Sequence, residues 1–379
     1  MSGDDAQDRS GRKEYLPRIA DSLVQDVLSV LGAVLITGPK WCGKSWTGMQ
    51  HSRSQLMLGD DKTNKYARLV PDDALSGEHP RLVDEWQDVP QLWDTARRNI
   101  DLTGKNGMYI FTGSTMPPME SVNHSGTGRF GRVRMHTMSL YESGDSTGDV
   151  SLLKLFQGGE LEPSPSKIDY EEIVRLICRG GWPKAAVLDS YPGALRIPSE
   201  YIRSVIDSDL SQMTENRMSA TITERIIRSI ARNVSSTASI ATITKDVSDG
   251  YGRISEQTIR KYMDSLKNIF ILEEQEAWTP KLRSKVRIRS SPKIHLTDPS
   301  LAAASLGATP EILKKDPNTA GFMFESLCYR DLCVYSSASG GRVYHYRDSN
   351  DLEIDNIVEL PDGRWGAFEV KLGDFEVDK

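Results

Sequence analysis

The run Ala33-Val-Leu-Ile-Thr37 passes without a break into Gly38-Pro-Lys-Trp-Cys-Gly43-Lys44-Ser45. A short, apolar, β-capable segment entering G-x-x-x-x-G-K-S predicts a strand, a tight loop and the first turn of a helix. Each residue type has a reason. The glycines, Gly38 and Gly43, let backbone N–H groups cradle phosphate oxygens, and Pro39 lies within the same loop. Lys44 offsets charge on the outer phosphates, and the Ser45 hydroxyl suits a Mg²⁺ ion at a helix N-terminus. This is the pattern of a P-loop, and upstream the spacing predicts a helix over Tyr15 to Leu31.

A second element makes a chance glycine-rich turn untenable. Arg81-Leu-Val-Asp84-Glu85 is an apolar run ending in two carboxylates. Asp84 is placed to hold Mg²⁺, and Glu85 to polarise an attacking water as general base. Met108-Tyr-Ile-Phe111 reads as a further strand ending in Thr112-Gly113-Ser114, where Ser114 either senses the terminal phosphate or merely closes a turn. Ser125-Gly-Thr-Gly-Arg129 presents an arginine on a flexible loop. Arg129 is either a finger for transition-state charge, in cis or from a second subunit, or a surface residue in a salt bridge.

The 379 residues suggest two or three units at roughly 150 residues each. With 38% hydrophobic and 26% charged residues the chain reads as globular, not disordered or fibrous. Val27 to Pro39 is the longest uncharged apolar stretch, too short for a membrane span. The polar start, MSGDDAQDRSGRKEY, has no apolar core of a signal peptide, so a cytoplasmic protein is expected. Cys42, Cys178, Cys328 and Cys333 never form C-x-x-C, and the six histidines complete no zinc spacing, so reduced thiols are expected.

A net charge of −6 gives no global attraction for nucleic acid, so such binding needs a local patch. Between Ala277 and Thr297 there is no acidic residue, and Lys281, Arg283, Lys285, Arg287 and Arg289 alternate at the strand period. On a strand these five cations share one face, as a phosphate-binding surface or as the solvated charges of an edge strand. Upstream, apolar stripes at Ile226, Ile227, Ile230, Ala231 and Val234, at Ile240, Ile243 and Val247, and at Ile259, Tyr262, Met263, Leu266 and Phe270 predict three helices. Ser255 is the expected N-cap of the third. Three helices and a basic strand match a winged helix-turn-helix, with Gln257, Arg260, Lys261 and Lys267 on the exposed face of its last helix. DNA contact and a protein-contacting lid are both open for it.

Near the end, Phe322 to Tyr335 carries an apolar stripe with Glu325 on its flank, and three strands follow at Arg342 to Arg347, Glu353 to Leu360 and Arg364 to Lys371. A three-residue loop, Pro361-Asp-Gly363, pairs Asp355 with Glu369; a two-residue loop would put Asp355 on the other face. In the first register Asp355 and Glu369, with Glu325 added, are candidate ligands of a Mg²⁺ ion, and Lys371 orients or deprotonates water. The alternative is an exposed hairpin with ordinary charge alternation.

Gly38 to Ser45, Leu82 to Pro90, Phe111 to Ser114, Ser125 to Phe130, Gly180-Gly-Trp-Pro183 and the late E-x-D and E-x-K resemble, in order, the prokaryotic AAA-type ATPases that carry a C-terminal domain of unknown function 4143. The resemblance covers nearly all of the chain from about Tyr15. It implies an α/β P-loop core that binds ATP, a helical winged-helix middle and a small α+β restriction-endonuclease-like end. The expected division is a disordered lead-in at 1–14, the ATPase domain at 15–145, a helical linker or lid at 146–220, the winged helix at 221–292 and the endonuclease-like domain at 293–379. That last fold normally continues with a helix and strand, so a truncated domain is expected. ATP and Mg²⁺ are the expected cofactors and DNA the expected partner, with a homo-oligomer open. The function expected is ATP hydrolysis on or near DNA with a nuclease-like C-terminal domain, its activity as a Mg²⁺-dependent phosphodiesterase open, or else a nucleotide-switched DNA- or protein-binding regulator with a non-catalytic C-terminal domain.

Overall fold

β1 (Ala33–Thr37) is buried at all five positions because it lies between two parallel neighbours with helices on both faces. A computed structural model describes residues 15–115, 126–159, 164, 166, 168–209, 219–249, 252–280, 290–348 and 352–373. The other strands of its first sheet are β2 (Ser54–Met57), β3 (Arg81–Asp84), β4 (Tyr109–Gly113) and β5 (Phe130–Arg134), in the order β2-β3-β4-β1-β5 and parallel throughout. The strand period sorts β1 between two cores. Ala33 and Leu35 join Trp93 and Phe111 on one side, while Val34 and Ile36 join Val24 and Ile110 on the other.

The covering helices are α1 (Ala20–Val30), α2 (Lys44–His51), α3 (Asp61–Leu69), α4 (Pro71–Ala74) and α5 (Gln91–Thr103). The helix expected from Tyr15 begins only at Ala20. Pro17 disfavours a helical residue before it, and Asp21 instead accepts from the Arg18 N–H at 2.7 Å and the Tyr15 hydroxyl at 2.6 Å. The extended stretch so formed runs beside the P-loop.

A helical unit follows, with α6 (Leu152–Phe156), α7 (Tyr170–Arg179), α8 (Pro183–Ala186), α9 (Tyr191–Ala194), α10 (Arg196–Ser204), α11 (Ala220–Arg232), α12 (Ile240–Ser248) and α13 (Glu256–Asn268). The antiparallel pair β6 (Leu272–Gln275) and β7 (Lys293–Leu296) comes next, then α14 (Pro299–Leu306) and α15 (Pro310–Leu313). Leu266 and Ile259 are fully buried, as their stripe requires. One apolar core runs from Val174 to Leu327, so the boundaries expected at 220/221 and 292/293 do not separate two cores. The basic residues Lys281 to Arg289 join β6 to β7 and lie outside the described residues.

The final unit is a long helix, α16 (Pro317–Ser337), and an antiparallel sheet in the order β10-β9-β8, formed by β8 (Arg342–Arg347), β9 (Glu353–Glu359) and β10 (Trp365–Phe368). Among the described residues no helix is long and apolar enough to cross a membrane.

Candidate functional site

Gly38 leaves β1 at φ +151°, and a Cβ there would sit 2.2 Å from the Met135 carbonyl oxygen, so only glycine lets the loop pass this strand extension. Gly43 closes the loop at φ +106°, where a Cβ would meet Arg18 Nη1 at 3.3 Å and Pro183 at 3.5 Å. α2 starts at Lys44, so its first N–H groups open toward the loop. Lys44 is buried, and its ammonium donates to the Pro39 carbonyl at 2.8 Å. Behind the loop Arg18 donates to the carbonyls of Cys42 at 2.7 Å and His136 at 2.9 Å and pairs with Glu142 at 3.2 Å.

Asp84 ends β3, buried, where the hydroxyls of Thr112 and Ser45 bond its carboxylate. Burial pushes this carboxyl above its usual range, and the two hydroxyls reverse only part of the shift. Ser45 and Asp84 are the hard oxygen donors that a Mg²⁺ ion takes. Glu85 turns out of the strand at φ +53°, a conformation rare outside glycine and frequent at functional sites. Its Oε2 accepts from the Ser114 hydroxyl at 3.2 Å and from the Gln87 amide. Gly38, Asp84, Glu85 and Ser114 thus meet at the carboxyl ends of β1, β3 and β4, where open parallel sheets bind their ligands.

Arg129 does not join them. Its carbonyl accepts from the Ala33 N–H, at the amino end of β1, about 16 Å of strand away from the P-loop. The guanidinium pairs with Asp101 at 2.7 Å, which corrects the reading of Arg129 as a finger in cis and matches the alternative of a surface salt bridge. Positive charge reaches the site from elsewhere. A cavity of about 830 Å³ is lined by Lys44, Ser45 and Glu85 on one side and by Trp182, Lys184 and Arg196 on the other. An adjoining cavity of about 550 Å³, mostly apolar, lies between Tyr15, Leu16, Trp46, Pro183 and Val187. Sequence reasoning missed Trp46, Lys184 and Arg196. The Gly180-Gly-Trp-Pro183 motif was the available signal for Lys184, which follows it directly; Arg196 carries no local pattern.

In the C-terminal unit the ladder pairs Trp365 with Glu359 and Phe368 with Asn356, and the Leu360 N–H donates to Arg364. Counting on places Asp355 opposite Glu369, the three-residue-loop register. Yet the ladder stops at Phe368, and beyond it the three expected residues differ in their surroundings. Glu369 and Lys371 are exposed and pair with each other at 2.8 Å. Asp355 is buried, and its Oδ2 accepts from the Val370 N–H at 2.9 Å. Glu325 does approach Asp355, but both face the Lys293 ammonium, at 2.8 and 3.4 Å. Among the described residues no three Asp, Glu, His or Cys side chains are arranged to hold a metal ion. The Mg²⁺ site expected at Glu325, Asp355 and Glu369 therefore does not fit these residues, because the Lys293 ammonium already stands between Glu325 and Asp355.

On the middle unit Gln257, Arg260 and Lys261 are exposed along α13, whereas Lys267 is engaged with Glu274 at 2.6 Å. Ser125, like Lys281, Arg283, Lys285, Arg287 and Arg289, lies outside the described residues.

Three family models match the chain: an AAA domain over residues 32–143, a domain of unknown function 8612 over 170–312 and a domain of unknown function 4143 over 320–377. No curated protein matches it. Among solved structures it is similar to the Walker-type ATPase PABY2304 of Pyrococcus abyssi, at 13% identity and a TM-score of 0.49, over 79% of this chain and 99% of that one. The parallel sheet with its P-loop falls within the matched AAA domain, and the chain thus joins an AAA P-loop domain to a domain of unknown function 4143 at its C-terminal end.

Proposed function

We propose that this protein binds ATP with Mg²⁺, hydrolyses it, and couples that cycle to contact with DNA through a middle unit of winged-helix type, the C-terminal domain being non-catalytic. The observation that carries the first part is the convergence of Lys44, Ser45, Asp84, Glu85 and Ser114 at one edge of the sheet. Phosphates occupy the larger cavity, where Lys44 exchanges the Pro39 carbonyl for a phosphate oxygen, and the base lies in the apolar cavity beside Trp46. Ser45 and Asp84 would hold a Mg²⁺ ion there, which would supply charge neutralisation at the phosphates. Glu85, steered by Ser114 and Gln87, orients the water and takes its proton. Lys184 and Arg196 add charge from the helical side, so occupation of the cavity bears on how the two units close.

The DNA reading is supported by the exposed Arg260 and Lys261 on α13 and by the five alternating cations that connect β6 to β7. The order of three helices followed by an antiparallel pair supports the winged-helix reading. The non-catalytic reading of the C-terminal domain is supported by the Lys293 ammonium that Glu325 and the buried Asp355 share, and by the pairing of the exposed Glu369 with Lys371.

One set of assays tests these together. ATP hydrolysis is measured with and without DNA, and DNA cleavage with Mg²⁺ in the presence and absence of ATP. Hydrolysis lost in Glu85→Gln and no cleavage are expected. Replacing Arg283, Lys285 and Arg287 with alanine is expected to weaken DNA binding and flatten its log–log salt dependence by up to about three units. An unchanged slope would remove the phosphate role of the basic stretch, and cleavage that depends on Asp355 would remove the non-catalytic reading.

A further inference from the structure

Lys293 opens β7, is only 2% exposed, and is one of the largest fully buried side chains of the molecule's described residues. Its ammonium lies 2.8 Å from Glu325 Oε1, 2.8 Å from Glu353 Oε1 and 3.4 Å from Asp355 Oδ1. Those carboxylates come from two other elements, Glu325 from α16 and the other two from β9. Three segments that are distant in the chain therefore converge on one cation supplied by the chain itself. A divalent ion would need the same oxygens at about 2.0 to 2.6 Å and could not share this point with an ammonium group. Displacing Lys293 would leave its charge buried without partners, a strongly unfavourable state.

The neighbouring groups are committed as well. Asp355 Oδ2 accepts from the Val370 N–H, and Glu369, the residue opposite it in register, faces solvent with Lys371. Burial lifts the Glu325 carboxyl to about 7 against the pull of Lys293, with Asp355 and Glu353 adding to the rise.

We propose that Lys293 is the resident cation of the Glu325–Glu353–Asp355 cluster, so that this place in the fold is a lysine-centred clasp tying β7 to α16 and β9 and takes no divalent metal. The inference goes beyond the non-catalytic reading of the C-terminal domain, does not depend on it and is read by a different measurement. Mn²⁺ is titrated into the nucleotide-free full chain and followed by electron paramagnetic resonance. Wild type and Glu325→Gln are expected to bind equal numbers of Mn²⁺ ions. Lys293→Met is expected to gain one, and Lys293→Met/Glu325→Gln to lose it again. A wild-type Mn²⁺ ion that disappears in Glu325→Gln would overturn the proposal, as would a folded Lys293→Met with no gain. If Lys293→Met does not fold, the wild-type comparison decides alone, an equal count upholding the clasp. Mg²⁺-dependent cleavage that survives Glu325→Gln would sink the non-catalytic reading and leave the Lys293 assignment standing.

Discussion

The Lys44 ammonium donates to a neutral carbonyl, and a phosphate oxygen outcompetes that acceptor because ionised partners make bonds roughly twice as strong. Lys44→Ala is therefore expected to weaken ATP binding by about one to two orders of magnitude, the worth of a hydrogen bond between charged groups. Isothermal titration reads this directly, and unchanged affinity would defeat the phosphate assignment. Glu85→Gln keeps the shape of the site and loses the base. Near-native ATP affinity and a fall in kcat on the order of 10² to 10⁴ are expected. The two arginines separate sharply. Arg196→Ala should slow hydrolysis about a hundredfold, since it faces the cavity that holds Lys44 and Glu85, whereas Arg129→Ala should leave single-turnover hydrolysis of dilute protein unchanged. The opposite result would return Arg129 to the site.

At the scale of elements, local signals and their limits are both visible. Ser255 Oγ accepts from the Thr258 N–H at 3.1 Å and caps α13 as its sequence position promised. Ser255→Ala should cost about 1 kcal/mol in chemical denaturation, and no loss would mean that packing of Ile259 and Leu266 alone holds the helix. The last hairpin was legible as a hairpin, but its register was open between two loops; Gly363 at φ +86° and the Asp362 carboxylate bonded to the Arg364 N–H select the three-residue loop. What the hairpin does with its charges was not legible. Period two places Asp355 and Glu369 opposite one another, but it says nothing of a lysine arriving from β7. Lys293 and His295 alternate with Ile294 and Leu296, and the face with the polar pair meets α16 at Glu325 and Ser326.

Across the whole molecule, buried polar groups join units that the chain pattern keeps apart. Asp298 accepts from the Thr137 hydroxyl at 2.6 Å, the Gly181 N–H at 2.9 Å and the Arg330 guanidinium at 2.9 Å, and thereby links the end of the ATPase domain, the Gly-Gly-Trp-Pro turn and α16. Asp298→Ala should cost about 3 kcal/mol or more in urea denaturation, because it strips a buried cation of one partner. A loss under about 1 kcal/mol would show that Asp331 suffices for Arg330. His295 gives a pH signature. Burial lowers it from 6.5 to about 3, with Glu273 opposing and Lys293 reinforcing the shift, so the folded state keeps it neutral. Between those values the unfolded chain binds a proton that the folded chain refuses, and stability falls as pH drops. Wild type should lose up to about 1.4 kcal/mol per pH unit more than His295→Gln between pH 6.5 and 5. Parallel pH curves for the two proteins would exclude this source.

The sequence alone determined the P-loop, the paired carboxylates of Asp84 and Glu85, the helical stripes and the existence of the last hairpin, whose register the structure chose between two. Each depends on residues a few positions apart, for which backbone geometry dictates where side chains point. The tertiary structure decided which of these residues meet. It set Arg129 at the far end of the sheet, brought Arg196 to the cavity that Lys44 and Glu85 line, and seated Lys293 among carboxylates contributed by α16 and β9. Those juxtapositions arise from the packing of elements remote in sequence, and electrostatic attraction between such elements leaves no periodicity in the chain to read.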